Sequence, residues 1–250
     1  MTVGWLAIRD DVVACMEKIR NDRLRGGWLV VLSARLRTLR SVVSAVRTAP
    51  PMRTVADEYK PGVQDLAIMP EVRELLEAPD DDEELDEQEL ADALIPMLPD
   101  LERKWQRARR REYRALLAGH LDAVEGVDVL ELAAAVFRCR RCKRLAQYPV
   151  MLAHDCREIP FMFENPAFFH DDYYRSVAET LDRCPLAVSG FEVPPWSNYF
   201  SKLVKLFGMD PEATTLKDLE DADVRIVYRN RDIAVVELMT WRRMVGSIRS

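Results

Sequence analysis

The sequence predicts an α+β protein that is mainly helical, with a helical first half and a mixed α/β second half that ends in a β-hairpin and a helix. Apolar residues recur at spacings of three and four through roughly the first fifty residues, which is the period of a helix with one apolar face. After Gly126 this pattern gives way to short segments separated by proline-containing turns. We therefore expect a helical region at 1–126 and a metal-binding α+β region at 127–250.

The composition is typical of a folded intracellular protein. Of the 250 residues, 48% are apolar, which is enough for the core of one large domain or two small ones, and the net charge is −6. This acidic balance argues against nucleic-acid binding over the whole surface. Five cysteines are too few for a secreted disulfide framework, and the chain opens without a basic signal-peptide segment. We expect the protein in the cytoplasm or nucleus, without a membrane span.

Two amphipathic helices are predicted at the amino terminus. Gly26 and Gly27 separate them, and Pro50 and Pro51 end the second. We expect the apolar stripe of each helix to be buried, with Cys15 as a small buried side chain. The stripes comprise Trp5, Ile8, Val12, Cys15 and Ile19 in the first helix and Leu29, Leu32, Leu36, Leu39, Val43 and Val46 in the second.

Two more helices are predicted in the first half. Pro70 suits the first turn of a short helix, and Asp100 is a suitable N-cap for a longer one. The acidic run at 79–92 should be a solvated loop and a first helical turn, where acidic residues favour the positive end of the helix dipole. Seven basic side chains lie between Arg103 and Arg114, so this helix is a candidate site for phosphate or acidic peptide unless the adjoining acidic run neutralises it within the fold.

The second half should mix helix and strand. The segment "DVLELAAAV" at 128–136 is predicted to be helical. Near the end, "RIVY" and "DIAVVEL" flank Arg229-Asn230-Arg231 and predict a β-hairpin, which "MTWRRMVGSI" follows as a helix. The apolar surface for packing the hairpin should come from Val227, Val235, Leu238, Trp241 and Val245.

Three of the five cysteines and one of the three histidines lie in "FRCRRCKRLAQYPVMLAHDC" at 137–156. Cys139 and Cys142 have the C-x2-C spacing that lets a tight turn present two thiolates to one ion, and His154 and Cys156 follow. Four nitrogen and sulfur donors form the usual tetrahedral ligand set of structural zinc. We expect His154 on the last turn of a short helix through "VMLAH" and Cys156 just beyond it. Residues two apart on a helix point about 200° apart, so the helix must end at His154 and Cys156 for both to bind one ion. We predict one structural zinc at these four residues.

The sequence around the cluster leaves alternatives open. A C-x2-C pair also occurs in redox sites, although the βαβ setting of a thioredoxin-like site is missing. Cys184 or His170 is a substitute ligand if one of the four is out of reach. The basic residues in 138–144 favour metal-binding thiolates but equally suit a phosphate-binding knuckle. Together with the helix at 103–114, this knuckle defines a nucleic-acid-binding alternative.

The order of several segments resembles a large group of fungal proteins described as F-box-related or uncharacterised. The likeness covers roughly residues 60–245 and rests on "MPEVRELLEAP", "FRCRRC" with "YPVMLAHDC", "GMDPEATTLKDLEDADVRIVY" and "MTWRRMV". The resemblance implies metal ligands at Cys139, Cys142, His154 and Cys156, and it implies no known catalytic activity.

This chain departs from that family at a second metal site. Where relatives typically carry cysteines or a histidine, it has Tyr228 and Arg231 in the hairpin, Phe207 before the Gly-x-Asp-Pro turn and Ser247 after the last helix. Phenol and guanidinium groups are not usual zinc ligands, so we expect one zinc and not two. The amino-terminal F-box that docks to a cullin-type ubiquitin ligase is not evident either.

No catalytic motif stands out in the sequence. We therefore expect a non-enzymatic, zinc-stabilised interaction protein with a protein partner of unknown identity. The resemblance implies a more specific role for such a protein, as the substrate-binding part of an F-box-like adaptor.

Overall fold

The computed structural model describes residues 3–48, 59–77, 85–154, 156, 171–229 and 236–247. The chain forms two compact units, each built from separate segments of the sequence. Unit one comprises Met1–Arg53, Pro61–Leu101 and Arg157–Pro185, and unit two comprises Thr54–Lys60, Glu102–Cys156 and Leu186–Ser250. The soft boundary expected near residue 126 between a helical region and a metal-binding region stays a prediction.

Unit one is helical and has its own core. Its helices are α1 (Val3–Thr48), α2 (Val63–Ala67), α3 (Pro70–Glu77), the first part of α4 (Glu87–Leu117) and α5 (Asp172–Thr180). Helix α3 begins at Pro70, as predicted. Asp171 caps α5, because its carboxylate accepts hydrogen bonds from two backbone N–H groups of the first turn. The fully buried core includes Leu36, Leu39, Leu66, Val72, Leu94 and Val177.

The two helices predicted at the amino terminus form one helix, α1, which is 46 residues long and continues through Gly26 and Gly27. A glycine inside a helix costs about 1 kcal/mol relative to alanine, which weakens a long helix without ending it. The first apolar stripe is not buried where its side chains are described, since Val12, Cys15 and Ile19 are exposed. The prediction that Cys15 is buried is therefore wrong.

The two apolar stripes of α1 lie on nearly opposite faces of the helix. At about 100° per residue, Val12 and Ile19 point roughly 160° away from Leu32 and Leu39. Leu32 and Leu39 are buried in the core of unit one. Side chains on the other face of the same straight helix cannot reach that core. Helical periodicity identified both faces, but it could not tell which one the rest of the chain covers.

Helix α4 begins at Glu87 and not after Asp100, and it contains Pro96 and Pro99. The carboxylate of Asp86 is the cap, because it accepts hydrogen bonds from two backbone N–H groups of the first turn at 2.8 and 2.9 Å. An interior proline costs a helix about 3 kcal/mol. Burial of an apolar side chain contributes about 1.5–3 kcal/mol, so four buried leucines offset the two prolines. These are Leu90, Leu94, Leu98 and Leu101, which are at most 8% exposed.

Unit two combines the second part of α4 with two small sheets and short helices. Strand β1 (Val136–Cys139) lies between β2 (Leu145–Gln147) and β3 (Phe191–Glu192) in an antiparallel sheet. Helices α6 (Asn198–Leu206) and α7 (Leu216–Asp221) follow. The predicted hairpin and final helix are confirmed as β4 (Arg225–Arg229), β5 (Val236–Thr240) and α8 (Trp241–Ser247). The mainly helical α+β class predicted from the sequence is therefore correct.

Two local predictions in unit two are wrong. The segment 128–136 forms turns up to Ala135 and enters β1 at Val136, because its alanines are buried by neighbouring segments instead of forming one face of a helix. Val227 and Leu238 face each other across the hairpin but are both 65% exposed, so neither supplies the predicted packing surface. Trp241 and Val245 do supply it, at 1% and 2% exposure. Val235 lies outside the described residues.

Within the described part of the chain, no helix is both long enough and apolar enough to cross a membrane.

We expect Cys15 to react with iodoacetamide roughly tenfold faster than Cys184 in the native protein. Cys15 is exposed, whereas Cys184 is buried, and burial raises the pKa of its thiol and so lowers the fraction of reactive thiolate. Peptide mapping by mass spectrometry after timed alkylation measures the two rates separately. The rates should converge in concentrated guanidinium. Equal rates in the native protein would contradict the burial of Cys184.

Candidate metal centre

The first two proposed ligands lie at the end of β1 and in the turn after it. The backbone N–H of Cys139 donates to the carbonyl oxygen of Arg144 at 2.9 Å, and the N–H of Lys143 donates to the carbonyl oxygen of Cys139 at 3.0 Å. Lys143 has a φ of 60°, a left-handed conformation that costs a non-glycine residue about 1 kcal/mol. This closed turn returns Cys142 to the side of Cys139, as the C-x2-C spacing predicts.

The other two proposed ligands follow a short 3-10 helix, Val150–Ala153. The backbone N–H of His154 donates to the carbonyl oxygen of Met151 at 3.1 Å, and His154 itself is extended, with φ −64° and ψ 122°. The prediction that the helix must end at the histidine and cysteine pair is confirmed. His154 comes just after the helix and not on its last turn, which lets it and Cys156 point to the same place.

The four donor atoms converge on one point. The Sγ atoms of Cys139, Cys142 and Cys156 and a ring nitrogen of His154 all lie within 4.8 Å of one another. Cys142 Sγ and His154 Nε2 lie 3.2 Å apart. In a tetrahedral site with Zn–S bonds near 2.3 Å, neighbouring donors are about 3.8 Å apart. Small side-chain adjustments therefore suffice to hold a metal ion, and a donor set of sulfur and nitrogen fits zinc.

The cluster lies at the edge of a packed region. Cys139 is only 3% exposed, whereas Cys142 is exposed and His154 and Cys156 are partly buried. The His154 ring packs edge-on against Phe191 of β3, with 5.7 Å between ring centroids. One side of the cluster is thus anchored to the sheet, and the other faces solvent, from which an ion can enter.

The pKa values of two thiols in the cluster shift in opposite directions. Burial, followed by hydrogen bonding with Cys142, raises the pKa of the Cys156 thiol to about 12. Burial by itself also raises the pKa of the Cys142 thiol. Hydrogen bonds from the Arg144 backbone and from the thiols of Cys156 and Cys139 outweigh burial, so the pKa of Cys142 is lowered. A metal ion that binds here must displace these protons, because thiolates are the ligands.

Strand β3 supports the metal-binding turn, and sequence analysis did not identify it. The backbone N–H of Arg140 donates to the carbonyl oxygen of Gly190 at 2.9 Å. Arg138 donates to the carboxylate of Glu192 at 2.7 Å, and Arg140 pairs with the same carboxylate at 3.5 Å. Glu192 is 54 residues from Arg138 and belongs to no recognisable motif, so nothing local in the sequence could have indicated this contact.

Of the two proposed substitute ligands, only Cys184 is described by the structure. Cys184 is buried beside Ala178 in unit one, so it does not replace a ligand. His170 and Arg231 lie outside the described residues. Phe207, at one position of the family's second site, packs near Trp241 with 6.3 Å between ring centroids. Among the residues that the structure describes, the four predicted ligands form the one group with metal-binding proximity.

Three of the basic side chains of α4 are paired with carboxylates of unit two. Arg110 and Arg114 both contact the carboxylate of Asp128, at 2.7 and 2.6 Å, and Arg109 contacts Glu112 at 2.8 Å. Hydrogen bonding from Arg114 outweighs the effect of burial and, with that from Arg110, holds the pKa of Asp128 well below its usual range. The acidic run at 79–92 was expected to neutralise this basic helix. The carboxylate that pairs with Arg110 and Arg114 is instead that of Asp128.

No family model, curated protein or solved structure matches this chain. The resemblance to F-box-related fungal proteins therefore stays a prediction from the sequence.

Replacing Asp128 with asparagine should lower the free energy of unfolding by about 1 kcal/mol at neutral pH, because two partly exposed arginines lose a charged partner. The pKa of Asp128 is lowered in the folded state. Its contribution is therefore present above the unfolded pKa of about 3.9 and is lost as the pH falls from there toward the folded pKa. Urea unfolding at a series of pH values measures the difference.

The matched control is Asp122→Asn, which removes an exposed carboxylate from the same region and should change stability by less than about 0.5 kcal/mol. A destabilisation by Asp128→Asn that did not shrink below about pH 4 would contradict the assigned ion pairs.

Proposed function

We propose that this chain is a non-enzymatic interaction protein whose second unit is stabilised by one zinc ion. The observation that carries the proposal is the convergence of four sulfur and nitrogen donors within 4.8 Å. They come from two short segments of the chain, 139–142 and 154–156. A zinc ion would cross-link the turn after β1 to the segment that follows the 3-10 helix.

The donor count favours a structural role for the metal. Tetrahedral zinc is saturated by four protein ligands, so a site of Cys139, Cys142, His154 and Cys156 leaves no coordination position for water or substrate. Bound zinc would contribute electrostatic and covalent stabilisation of the thiolates, which is worth on the order of 10 kcal/mol in small zinc domains. This is large compared with the cost of the left-handed turn at Lys143.

The interaction role has two more specific versions. The resemblance to F-box-related fungal proteins supports the substrate-binding part of an F-box-like adaptor, acting in the cytoplasm or nucleus. The nucleic-acid alternative would use the helix at 103–114 together with the turn at 138–144. We favour protein binding, because Arg109, Arg110 and Arg114 of that helix already contact carboxylates of unit two.

Native mass spectrometry of the protein purified under reducing conditions with equimolar zinc should show one bound ion per chain. Cys139→Ser should abolish it, because serine oxygen is a poor ligand for zinc beside two thiolates. Cys184→Ser is the matched control, since Cys184 lies outside the cluster, and it should retain the ion. A second tightly bound ion that survives Cys139→Ser would refute the single site.

Cys142→Ser, or removal of zinc with a chelator, should make unit two sensitive to protease while unit one stays resistant. The reason is that no buried core replaces the cross-link at the exposed turn. Limited proteolysis followed by mass mapping locates the cuts. Cys15→Ser, which removes an exposed thiol from α1, should leave the pattern unchanged. Equal resistance with and without metal would argue against a structural ion.

A further inference from the structure

We propose that the turn Arg140–Arg144 is a docking site for an acidic peptide segment rich in aspartate and glutamate. This inference rests on the proposed interaction role and names the chemistry of the partner. Four of the five residues in the turn are basic, and Arg140, Arg141, Lys143 and Arg144 are all exposed.

The positive charge of the turn is only partly neutralised by the fold. The carboxylate of Glu192 is shared between Arg138 and Arg140. Within the described residues, neither Lys143 nor Arg144 forms an ion pair with a carboxylate. This contrasts with α4, where Arg110 and Arg114 surround Asp128. The turn is therefore a concentrated positive surface on a chain whose net charge is −6.

The turn is also rigid enough to recognise a partner. Its ends are joined by the two hydrogen bonds between Cys139 and residues 143 and 144, and Arg140 is bonded to β3 through Gly190. A metal ion at Cys139 and Cys142 would add a further constraint. A preorganised turn loses little backbone entropy on binding, so its charged contacts contribute more of their energy to affinity.

The size of the surface favours a short peptide over a nucleic acid. Proteins that bind nucleic acid tightly usually neutralise six to ten phosphates over an extended surface. Five residues reach at most about two or three anionic groups, and three arginines of α4, Arg109, Arg110 and Arg114, are paired with carboxylates. Guanidinium groups bind carboxylates in a bidentate geometry, which suits side chains of aspartate and glutamate.

The test uses zinc-loaded full-length protein and a fluorescein-labelled peptide of ten glutamates, with binding followed by fluorescence polarisation. The triple variant Arg141→Gln, Lys143→Gln and Arg144→Gln should bind roughly tenfold more weakly than the wild type. The matched control is Lys18→Gln, Arg20→Gln and Arg23→Gln, which removes the same three charges from exposed positions of α1. The control should change affinity by less than about twofold.

A second variant separates charge from folding. Arg141→Lys with Arg144→Lys keeps the charge and should bind more tightly than the triple variant but more weakly than the wild type, because lysine cannot form bidentate contacts. Zinc content and circular dichroism are measured for every variant. A wild type that holds zinc but does not bind the peptide overturns this inference and leaves the zinc site standing. Equal losses in the two triple variants, or tighter binding of a ten-nucleotide RNA that the peptide cannot displace, also overturn it. A wild-type chain that takes up no zinc but still binds the peptide refutes the metal proposal alone.

Discussion

Strand β1 is the constraint on which the second unit depends. It pairs with β2 on one side and β3 on the other, and it ends at Cys139, the first of the four donors. The register with β2 sets the length of the turn that carries Cys142. The pairing with β3 brings Phe191 against the ring of His154. The same few backbone hydrogen bonds therefore build the sheet and collect the donors, so that binding of a metal ion here would be coupled to folding of this region.

The distribution of carboxylates determines which basic surfaces remain available. Asp128 is only 13% exposed and lies between two arginines of α4, where it converts a basic helix into a structural contact. Glu192 pairs in the same way with Arg138 and also contacts Arg140 at 3.5 Å. The basic segments at 103–114 and 138–144 thus look alike in sequence but have different surroundings. Exposed ion pairs contribute little stability individually, so the main effect of these contacts is on which charges a partner can meet.

Helix α1 shows how one element can carry two unrelated apolar faces. Its second half contributes Leu36, Leu39 and Val43 to the core of unit one. Its first half turns Val12 and Ile19 away from that core, and Met16 between them is 65% exposed. Because the burial of one face fixes the rotation of the whole helix, the other face has no freedom to turn inward. The exposure of Cys15 follows from this geometry and not from the properties of cysteine.

The local chemistry of the second half was readable in the sequence, because it depends on residue spacing. C-x2-C specifies a turn, the helix before His154 had to end there, and alternating apolar residues specified the β4–β5 hairpin. Tertiary contacts decided what spacing cannot encode. Burial of Leu90 and Leu94 carried α4 through two prolines, and burial on several sides kept 128–136 from forming a helix. Contacts between residues distant in sequence placed Asp128 and Glu192 beside their arginines. Periodicity measures which residues share a face, whereas burial is a property of the neighbours that the folded chain brings to that face.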